Sequence, residues 1–362
     1  MKIVIFAGGV GTRLWPLSRK KSPKQFEKVI DDESTLQHLV ARLLQKFSAS
    51  DIFISTGSRY RATIGRQLPQ ISNENIIIEP EMRDVGPAVG LMTAIFAKVN
   101  PDESMAILWG DHIVNEDAKF HDMLTAANEV IEKNPEKIMF LGHVPRFANQ
   151  NLGWIEFEKA ILGKAGKFDY HSLASFKYRP EKKLVEDYAV DGSHAWNLGY
   201  FVTKPRFLWE QFRLHSPELY EGLKKIQDSY GTLEYGSILS EVYSTLPKVS
   251  FDHAVLEKIP VSQSIVMVAD IGWSDVGAWE ALKEALQKSK EDNVTKGKVV
   301  LEGSVDSLVF DYQGKKLVVG IDLQDMLVVN TEDVLLVAPK TSASKVKKLV
   351  EGFAGGEYEE LT

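Results

Sequence analysis

Short apolar runs alternate with longer amphipathic stretches through the first 150 residues, and this alternation leaves few architectures open. Lys2–Phe6, Asp51–Ser55, Asn75–Ile78, Met105–Trp109 and Lys137–Leu141 have the length and composition of buried strands. Between them, Ser34–Lys46, Ser58–Leu68, Gly86–Lys98 and Ala118–Lys133 carry helical spacing with few breakers. Such repetition predicts a mostly parallel sheet flanked by helices, with ligands beyond the carboxyl ends of the strands.

The middle of the chain, Gly153–Ala285, mixes strands such as Trp154–Phe157 and Tyr200–Thr203 with a long helix over Arg206–Tyr230, and reads as a continuation of the same domain. Near Asp292–Gly297 the composition turns polar and charged. Strand-like runs then follow closely: Lys298–Leu301, Ser307–Tyr312, Lys316–Ile321, Met326–Asn330 and Val334–Ala338, before an amphipathic helix over Ser342–Gly352. The expected organisation is a catalytic domain over residues 1–290 and a small β domain ending in a helix over 291–362.

Composition removes several function classes. A formal net charge of −7 on 362 residues argues against a general nucleic-acid binder. The absence of cysteine removes disulfides, thiolate metal sites and cysteine nucleophiles. The opening run MKIVIFAGG is too short for a secretory signal, and no apolar stretch approaches the roughly 20 residues of a spanning helix. A cytoplasmic protein without a membrane partner is the expectation.

Against that acidic background, the segment after the first strand stands apart. Phe6 leads into Ala7-Gly-Gly-Val-Gly-Thr-Arg-Leu-Trp-Pro-Leu-Ser-Arg-Lys-Lys-Ser-Pro-Lys-Gln-Phe26. Gly8, Gly9 and Gly11 let a backbone approach a ligand closely, so that successive N–H groups can face phosphate oxygens. Arg13, Arg19, Lys20, Lys21 and Lys24 add five cations within twelve residues. A dinucleotide fingerprint requires a small residue where Leu14 stands, which disfavours a dehydrogenase. A P-loop requires Lys-Ser or Lys-Thr after its last glycine, and none follows Gly11.

The run GGVGTRLWPLSR followed by PKQF resembles the signature of sugar-1-phosphate nucleotidylyltransferases, and its tryptophan resembles the mannose-1-phosphate guanylyltransferase branch. The resemblance implies a Rossmann-like fold of the nucleotide-diphospho-sugar transferase type, with a β-helix-like C-terminal domain. It implies that the backbone of Ala7, Gly8, Gly9, Gly11 and Thr12 wraps the nucleotide while Arg13 and Lys24 hold the triphosphate. Substrates would be GTP and mannose 1-phosphate, and Mg²⁺ the cofactor. The chain is short for the bifunctional form that also carries a phosphomannose isomerase module.

Transfer of a nucleotidyl group brings two anions together, so positive charge and alignment matter more than a general base. Trp109-Gly-Asp-His112 ends the fourth strand run, and Asp270-Ile-Gly-Trp-Ser-Asp-Val-Gly-Ala-Trp279 precedes a helix. Both resemble the family's metal-binding pieces, with Asp111 and Asp275 at the matching positions and Gly110 beside the nucleotide. Asp275 also reads as a helix N-cap. His112 reads either as a base or as a residue that positions its loop.

Glu79-Pro-Glu-Met-Arg-Asp-Val-Gly-Pro-Ala88 resembles the family's base-side segment, which assigns Glu79, Arg83 and Pro87 to the nucleotide. Asp84, Val85 and Gly86 depart from its usual Asn-Thr-Ala. Asn151-Leu-Gly-Trp-Ile-Glu156 and Trp196-Asn-Leu-Gly-Tyr-Phe201 resemble the sugar-side strands, which assigns Gly153, Glu156, Asn197 and Gly199 to the sugar phosphate. Asn197 and Gly199 read equally as turn residues. Tyr178-Arg-Pro180 stands where the family has Glu-Lys-Pro, so Arg179 would take the phosphate as a fork. These departures keep open another sugar, such as a manno-heptose 1-phosphate, or another nucleotide. A silent nucleotide-sugar-sensing subunit is a further alternative. The strand-rich C-terminal segment is a surface on which a homodimer could form.

Overall fold

A computed structural model describes residues 1–9 and 11–362. Two compact units emerge, each assembled from separated stretches of chain. The first comprises residues 1–8, 42–109 and 115–271; the second comprises 9–41, 110–114 and 272–362.

Among the described residues, nine strands form the sheet of the first unit. They are β1 (Lys2–Phe6), β2 (Ile52–Gly57), β3 (Ile76–Glu79), β4 (Met105–Trp109), β5 (Ile138–His143), β6 (Gly153–Ala165), β7 (Phe168–Tyr178), β8 (His194–Thr203) and β9 (Ser264–Val268). Their order is β3-β2-β1-β4-β8-β5-β9-β7-β6. The run β3-β2-β1-β4 is parallel, as the strand–helix alternation requires. β8 enters antiparallel between β4 and β5, and β5 pairs β9 in parallel. β6 and β7 form a long antiparallel ribbon at the far edge.

Strand alternation divides the core between the two faces. Val4 and Phe6 of β1 join Ile107, Phe140 and Phe201 beneath the helices Val85–Val99, Pro205–His215 and Pro217–Ser229. Tyr200, on the opposite face, packs against Phe120 of the helix Asp117–Lys133 at 5.9 Å between ring centroids. The single helix expected over Arg206–Tyr230 is two helices. Ser216 takes an extended-side conformation (φ −142°, ψ 62°) because the ring of Pro217 disfavours helical geometry in the residue before it, and Pro217 has no N–H to continue the ladder.

The strands of the second unit are β10 (Val294–Lys296), β11 (Val299–Glu302), β12 (Leu308–Asp311), β13 (Val318–Ile321), β14 (Met326–Asn330) and β15 (Leu335–Pro339). β10, β12 and β14 pair in parallel, as do β11 and β13, and β15 closes antiparallel on β14. Val299 pairs Val318, Val305 pairs Gln324 and Leu308 pairs Leu327, each partner nineteen residues further on. That nineteen-residue step is a solenoid turn, the β-helix-like form expected, and the first rung is shorter, with Val294 pairing Leu308 fourteen residues on. Its interior is Leu308, Phe310, Leu327 and Val329, continuous with Leu14, Trp15, Val29, Trp279 and Leu282. The polar stretch Asp292–Gly297 supplies the first strand of this sheet.

Candidate functional site

The chemistry-bearing residues fall into one group in the second unit and two in the first. In the second unit, Ile113 and Ser274 exchange backbone hydrogen bonds of 2.9 and 3.0 Å in an antiparallel bridge. This bridge holds the segment of Asp111 against the segment of Asp275. Lys24, in the short 3-10 helix Lys24–Phe26, spans both: its Nζ lies 2.8 Å from Asp111 Oδ2 and donates to the carbonyl of Asp275 at 2.8 Å. The lysine side chain is only 9% exposed, so this charge pairing is largely shielded from water. Burial pushes the Asp111 carboxyl up, but the charges of Lys24 and His112 together outweigh it and hold the group below the usual carboxylate range.

Asp275 is not a helix cap. The helix begins at Trp279 with Ala278 as its N-cap, and Asp275 Oδ1 instead accepts from the Gly277 N–H at 3.3 Å. A Cβ built on Gly277 would stand 2.6 Å from Asp275 Oδ2 and 3.1 Å from Arg13 Nη2. Only glycine lets the Asp275 carboxylate and the Arg13 guanidinium converge on that point. His112 serves its loop. Trp273 Nε1–H donates to His112 Nδ1 at 3.1 Å, and since an indole nitrogen can only donate, any imidazole proton sits on Nε2, 3.7 Å from Asp111. Burial pushes the imidazole pKa down, opposed by the charge of Asp111.

Within the glycine loop, only Gly11 among Gly8, Gly9 and Gly11 has a positive φ, +66°. Its missing Cβ makes room for the Lys24 stem, whose Cγ would lie 2.9 Å from it. Gly8 and Gly9 face open space. Val10 lies outside the described residues, and Thr12 opens the 3-10 turn Thr12–Leu14. Gly110 is buried, with its carbonyl accepting from Thr35 Oγ at 2.9 Å.

In the first unit, Ala7 has both backbone groups engaged, its N–H with the Ser55 carbonyl at 2.9 Å and its carbonyl with Thr56 Oγ at 2.7 Å. It anchors the start of the loop. Glu79 closes β3, and its carboxylate accepts from Ser55 Oγ at 2.9 Å and Tyr243 Oη at 3.1 Å. Burial raises its pKa, opposed by those two hydroxyls. Arg83 donates to Glu81 at 3.1 Å and to the Leu246 carbonyl at 3.4 Å, and its buried Nε has no protein partner. Pro87 sits in the first turn of the helix Val85–Val99, where a missing N–H costs nothing. Asp84, with φ +71°, caps that helix by accepting from the Val85 N–H.

Gly153, Asn197 and Arg179 come together. A Cβ on Gly153 would lie 3.4 Å from Asn197 Cβ, and Arg179 follows Tyr178, the register partner of Gly153. The Arg179 N–H bonds the Leu152 carbonyl at 3.1 Å; the residue adopts φ +51°, with its guanidinium 4.9 Å from the Tyr178 ring centroid. Asn197 and Gly199 shape a bulge in β8, where Leu141 pairs Tyr200 but Gly142 pairs Asn197. Asn197 Oδ1 accepts the Gly199 N–H at 3.0 Å, while Gly199, with φ +70°, accepts from Trp109 Nε1 at 2.8 Å. Glu156 is not with them. The period of two along β6 turns it to the opposite face, where it accepts from Ser175 Oγ at 2.7 Å.

Gly277, Trp273 and Tyr243 were not singled out by the sequence. The first two sit inside the same short segment as Asp275, and a glycine two residues past a candidate ligand was a readable signal. Tyr243 carried none.

A mostly parallel sheet flanked by helices, followed by a strand-rich solenoid, is the architecture of a nucleotidyltransferase, and the comparisons with known proteins agree. The sequence model described as nucleotidyl transferase matches residues 2–292, and the chain belongs to that family. Residues 298–353 match the MannoseP isomerase/GMP-like beta-helix domain. Mannose-1-phosphate guanylyltransferase 2 of Escherichia coli O157:H7 is 33% identical over 355 residues, 96% of this chain and 72% of the relative. Mannose-1-phosphate guanylyltransferase of Escherichia coli K12 is 31% identical over 363 residues, 98% of this chain and 74% of the relative. Among solved structures, one described as mannose-1-phosphate geranyltransferase from Thermus thermophilus superposes with a TM-score of 0.86 at 26% identity, covering 98% of this chain and 99% of that one.

Mg²⁺ suits the residues present. It binds through one or two carboxylates and takes the rest of its shell from water and substrate phosphates. Asp111 and Asp275, carried on bridged segments, offer such a donor set. Among the described residues no group of three His, Cys, Asp or Glu is arranged to hold an ion, so part of the shell would come from substrate. Among the same residues no helix is long and apolar enough to cross a membrane.

Proposed function

We propose that this enzyme transfers the guanylyl group of GTP to mannose 1-phosphate, giving GDP-mannose and pyrophosphate. A phosphate oxygen of the sugar 1-phosphate attacks the α-phosphorus and forms the new P–O bond, while the bond from the α-phosphorus to the bridging oxygen breaks and pyrophosphate leaves. The attacking oxygen is already ionised, so no side chain need remove a proton. Lys24 and Arg13 neutralise and align the phosphates, and Asp111 and Asp275 would hold the magnesium, which would supply further charge neutralisation. Glu79, Arg83 and Pro87 take the base side; Gly153, Arg179, Asn197 and Gly199 take the sugar phosphate.

The observation that carries this reading is the Lys24 ammonium joined to Asp111 and to the Asp275 backbone, in a chain resembling two named mannose-1-phosphate guanylyltransferases along nearly its whole length. A second reading keeps the reaction and changes the sugar, to a manno-heptose 1-phosphate for example. Tyr178 stacked by Arg179 favours it, since a phenol cannot accept from sugar hydroxyls as a carboxylate does.

Pyrophosphate release with magnesium, measured across GTP, ATP, UTP, dTTP and CTP with each candidate sugar 1-phosphate, tests both. Release confined to GTP with mannose 1-phosphate supports the first reading; release only with another sugar supports the second. Nucleotide binding without release under any pairing would overturn both and leave a silent binding subunit.

A further inference from the structure

The 3-10 turn that carries Lys24 is fastened on both sides by residues of the C-terminal β domain. On the N-terminal side, Arg19 forms a two-pronged ion pair with Asp333, at 2.6 and 2.5 Å, while its Nε donates to the Pro16 carbonyl at 3.1 Å. Arg19 and Ser22 also exchange backbone hydrogen bonds of 3.0 Å each, which closes the small loop just before Lys24. One arginine therefore fixes the path from Pro16 to Ser22, and Asp333 fixes the arginine.

On the C-terminal side, Lys296 Nζ donates to the carbonyls of Lys28 at 2.5 Å and Asp31 at 3.0 Å. Tyr312 Oη donates to the carbonyl of Val29 at 2.9 Å, and the Lys296 ammonium lies 4.6 Å from the Tyr312 ring centroid. Loop backbone from Lys28 to Asp31 is thus capped by two side chains from β10 and the end of β12. A hydrogen bond and a ring contact add to this, with Trp279 Nε1 donating to the Trp15 carbonyl at 2.9 Å and Phe353 packing edge-on to Trp15 at 5.8 Å.

We propose that the C-terminal domain acts as a mould for the phosphate loop, with Asp333, Tyr312 and Lys296 as positioning residues for nucleotide binding. They act by holding the two ends of the segment that presents Lys24, so that its ammonium reaches Asp111 without first ordering a flexible loop. A loop ordered in advance binds its ligand without the entropic cost of closing around it. Arg19, one of the five loop cations, is consumed by this fastening and leaves Arg13 and Lys24 as the cations gathered beside Asp111 and Asp275. The proposal rests on the nucleotidyl transfer reading above.

Charge reversal at the outer fastening is the test. Asp333→Arg and Arg19→Asp, each alone and combined, are compared with wild type by pyrophosphate release, by GTP binding in a calorimeter and by thermal melting. Either single variant should raise the KM and Kd for GTP about tenfold while kcat moves little, in line with the cost of a misplaced binding group. The combined variant restores the ion pair with its sense reversed and should recover most of the affinity. Tyr312→Phe removes one hydroxyl from Val29 and should raise KM about threefold without lowering the melting temperature appreciably. Unchanged GTP affinity in all four variants, whatever their melting temperatures, would overturn the proposal. Failure of wild type to release pyrophosphate would sink the transferase reading instead, and calorimetry would still report on the mould.

Discussion

Gly277→Ala separates chemistry from folding more cleanly than removal of any charged residue. Gly277 is not in the left-handed region, so alanine meets no backbone penalty there, and loss of unfolded-state freedom would stabilise by about 0.4–1 kcal/mol. The cost is steric. The new Cβ would lie 2.6 Å from Asp275 Oδ2, whereas ordinary contact begins at 3.4 Å, so the carboxylate must retreat by about 0.8 Å. Arg13 Nη2, at 3.1 Å, must give by a few tenths of an ångström. A catalytic group displaced by about 1 Å costs about 100-fold, or roughly 2.7 kcal/mol of barrier. We therefore expect kcat/KM to fall about 100-fold, with the magnesium midpoint shifted to higher concentration and unfolding free energy within about 1 kcal/mol of wild type. Initial rates of pyrophosphate release over a magnesium titration, with urea unfolding as control, measure all three. A variant retaining kcat/KM within about threefold and an unmoved magnesium midpoint would refute the assignment of Asp275.

Other consequences can be checked in the same assays. Asp111→Asn should abolish most magnesium-dependent turnover, by at least about 100-fold; retention of full turnover would remove Asp111 from the reaction. Asp306→Asn strips the counter-charge from Lys283, which is 2% exposed and 2.5 Å from it, and should destabilise by about 3–5 kcal/mol in denaturant; a loss under about 1 kcal/mol would contradict that. Burial raises the Asp306 pKa, but bonds from Lys283 and Lys340 outweigh it and bring the group to about 2. The stability it contributes above pH 3.8 should therefore be lost as pH falls toward about 2. Glu27 goes the opposite way: burial, opposed by Arg19, lifts it from 4.5 to about 7. Its folded form holds a proton that its unfolded form releases, so stability should fall as pH rises from about 4.5 through about 7, and Glu27→Gln should flatten that slope in urea melts.

Local patterning made much of the first unit legible. The limits of β1 and β4 follow from the sequence because each is an apolar run bounded by a breaker or a polar residue. The break at Ser216–Pro217 was equally readable, since proline at an internal helical position carries its own warning, yet the amphipathic spacing on both sides suggested one helix. The ribbon of β6 and β7 is legible only at Trp154–Phe157, because its outer half is exposed and sets Ile161 and Leu162 side by side, which leaves no alternation to read. The solenoid left even less trace. Its nineteen-residue step is kept by backbone pairing and by a few inward apolar residues, while the outward residues vary freely, so a repeat exists in space without one in sequence.

The site was legible residue by residue but not in its assembly. Glycines, cations and aspartates mark themselves by type, because a site for phosphate and magnesium, as proposed above, would demand those groups. What brings them together is an antiparallel bridge and an indole–imidazole hydrogen bond between His112 and Trp273, positions 161 residues apart, and nothing in either segment announces the other. Glu156 makes the same point in reverse: it stands in a motif beside Gly153, and the pleat of β6 carries it to the opposite face. Residue type tells which chemistry is available, whereas the pleat, the bridge and the missing Cβ of Gly277 decide which groups share it. In this chain the group that shares it is small: one ammonium, one guanidinium and two carboxylates, all within the unit that also contains the solenoid. On the reading proposed above, the strand-rich C-terminal residues belong to the physical surroundings of the phosphate chemistry, and substitutions far along the chain, at Asp333 or Tyr312, should be read first against nucleotide affinity and only then against folding.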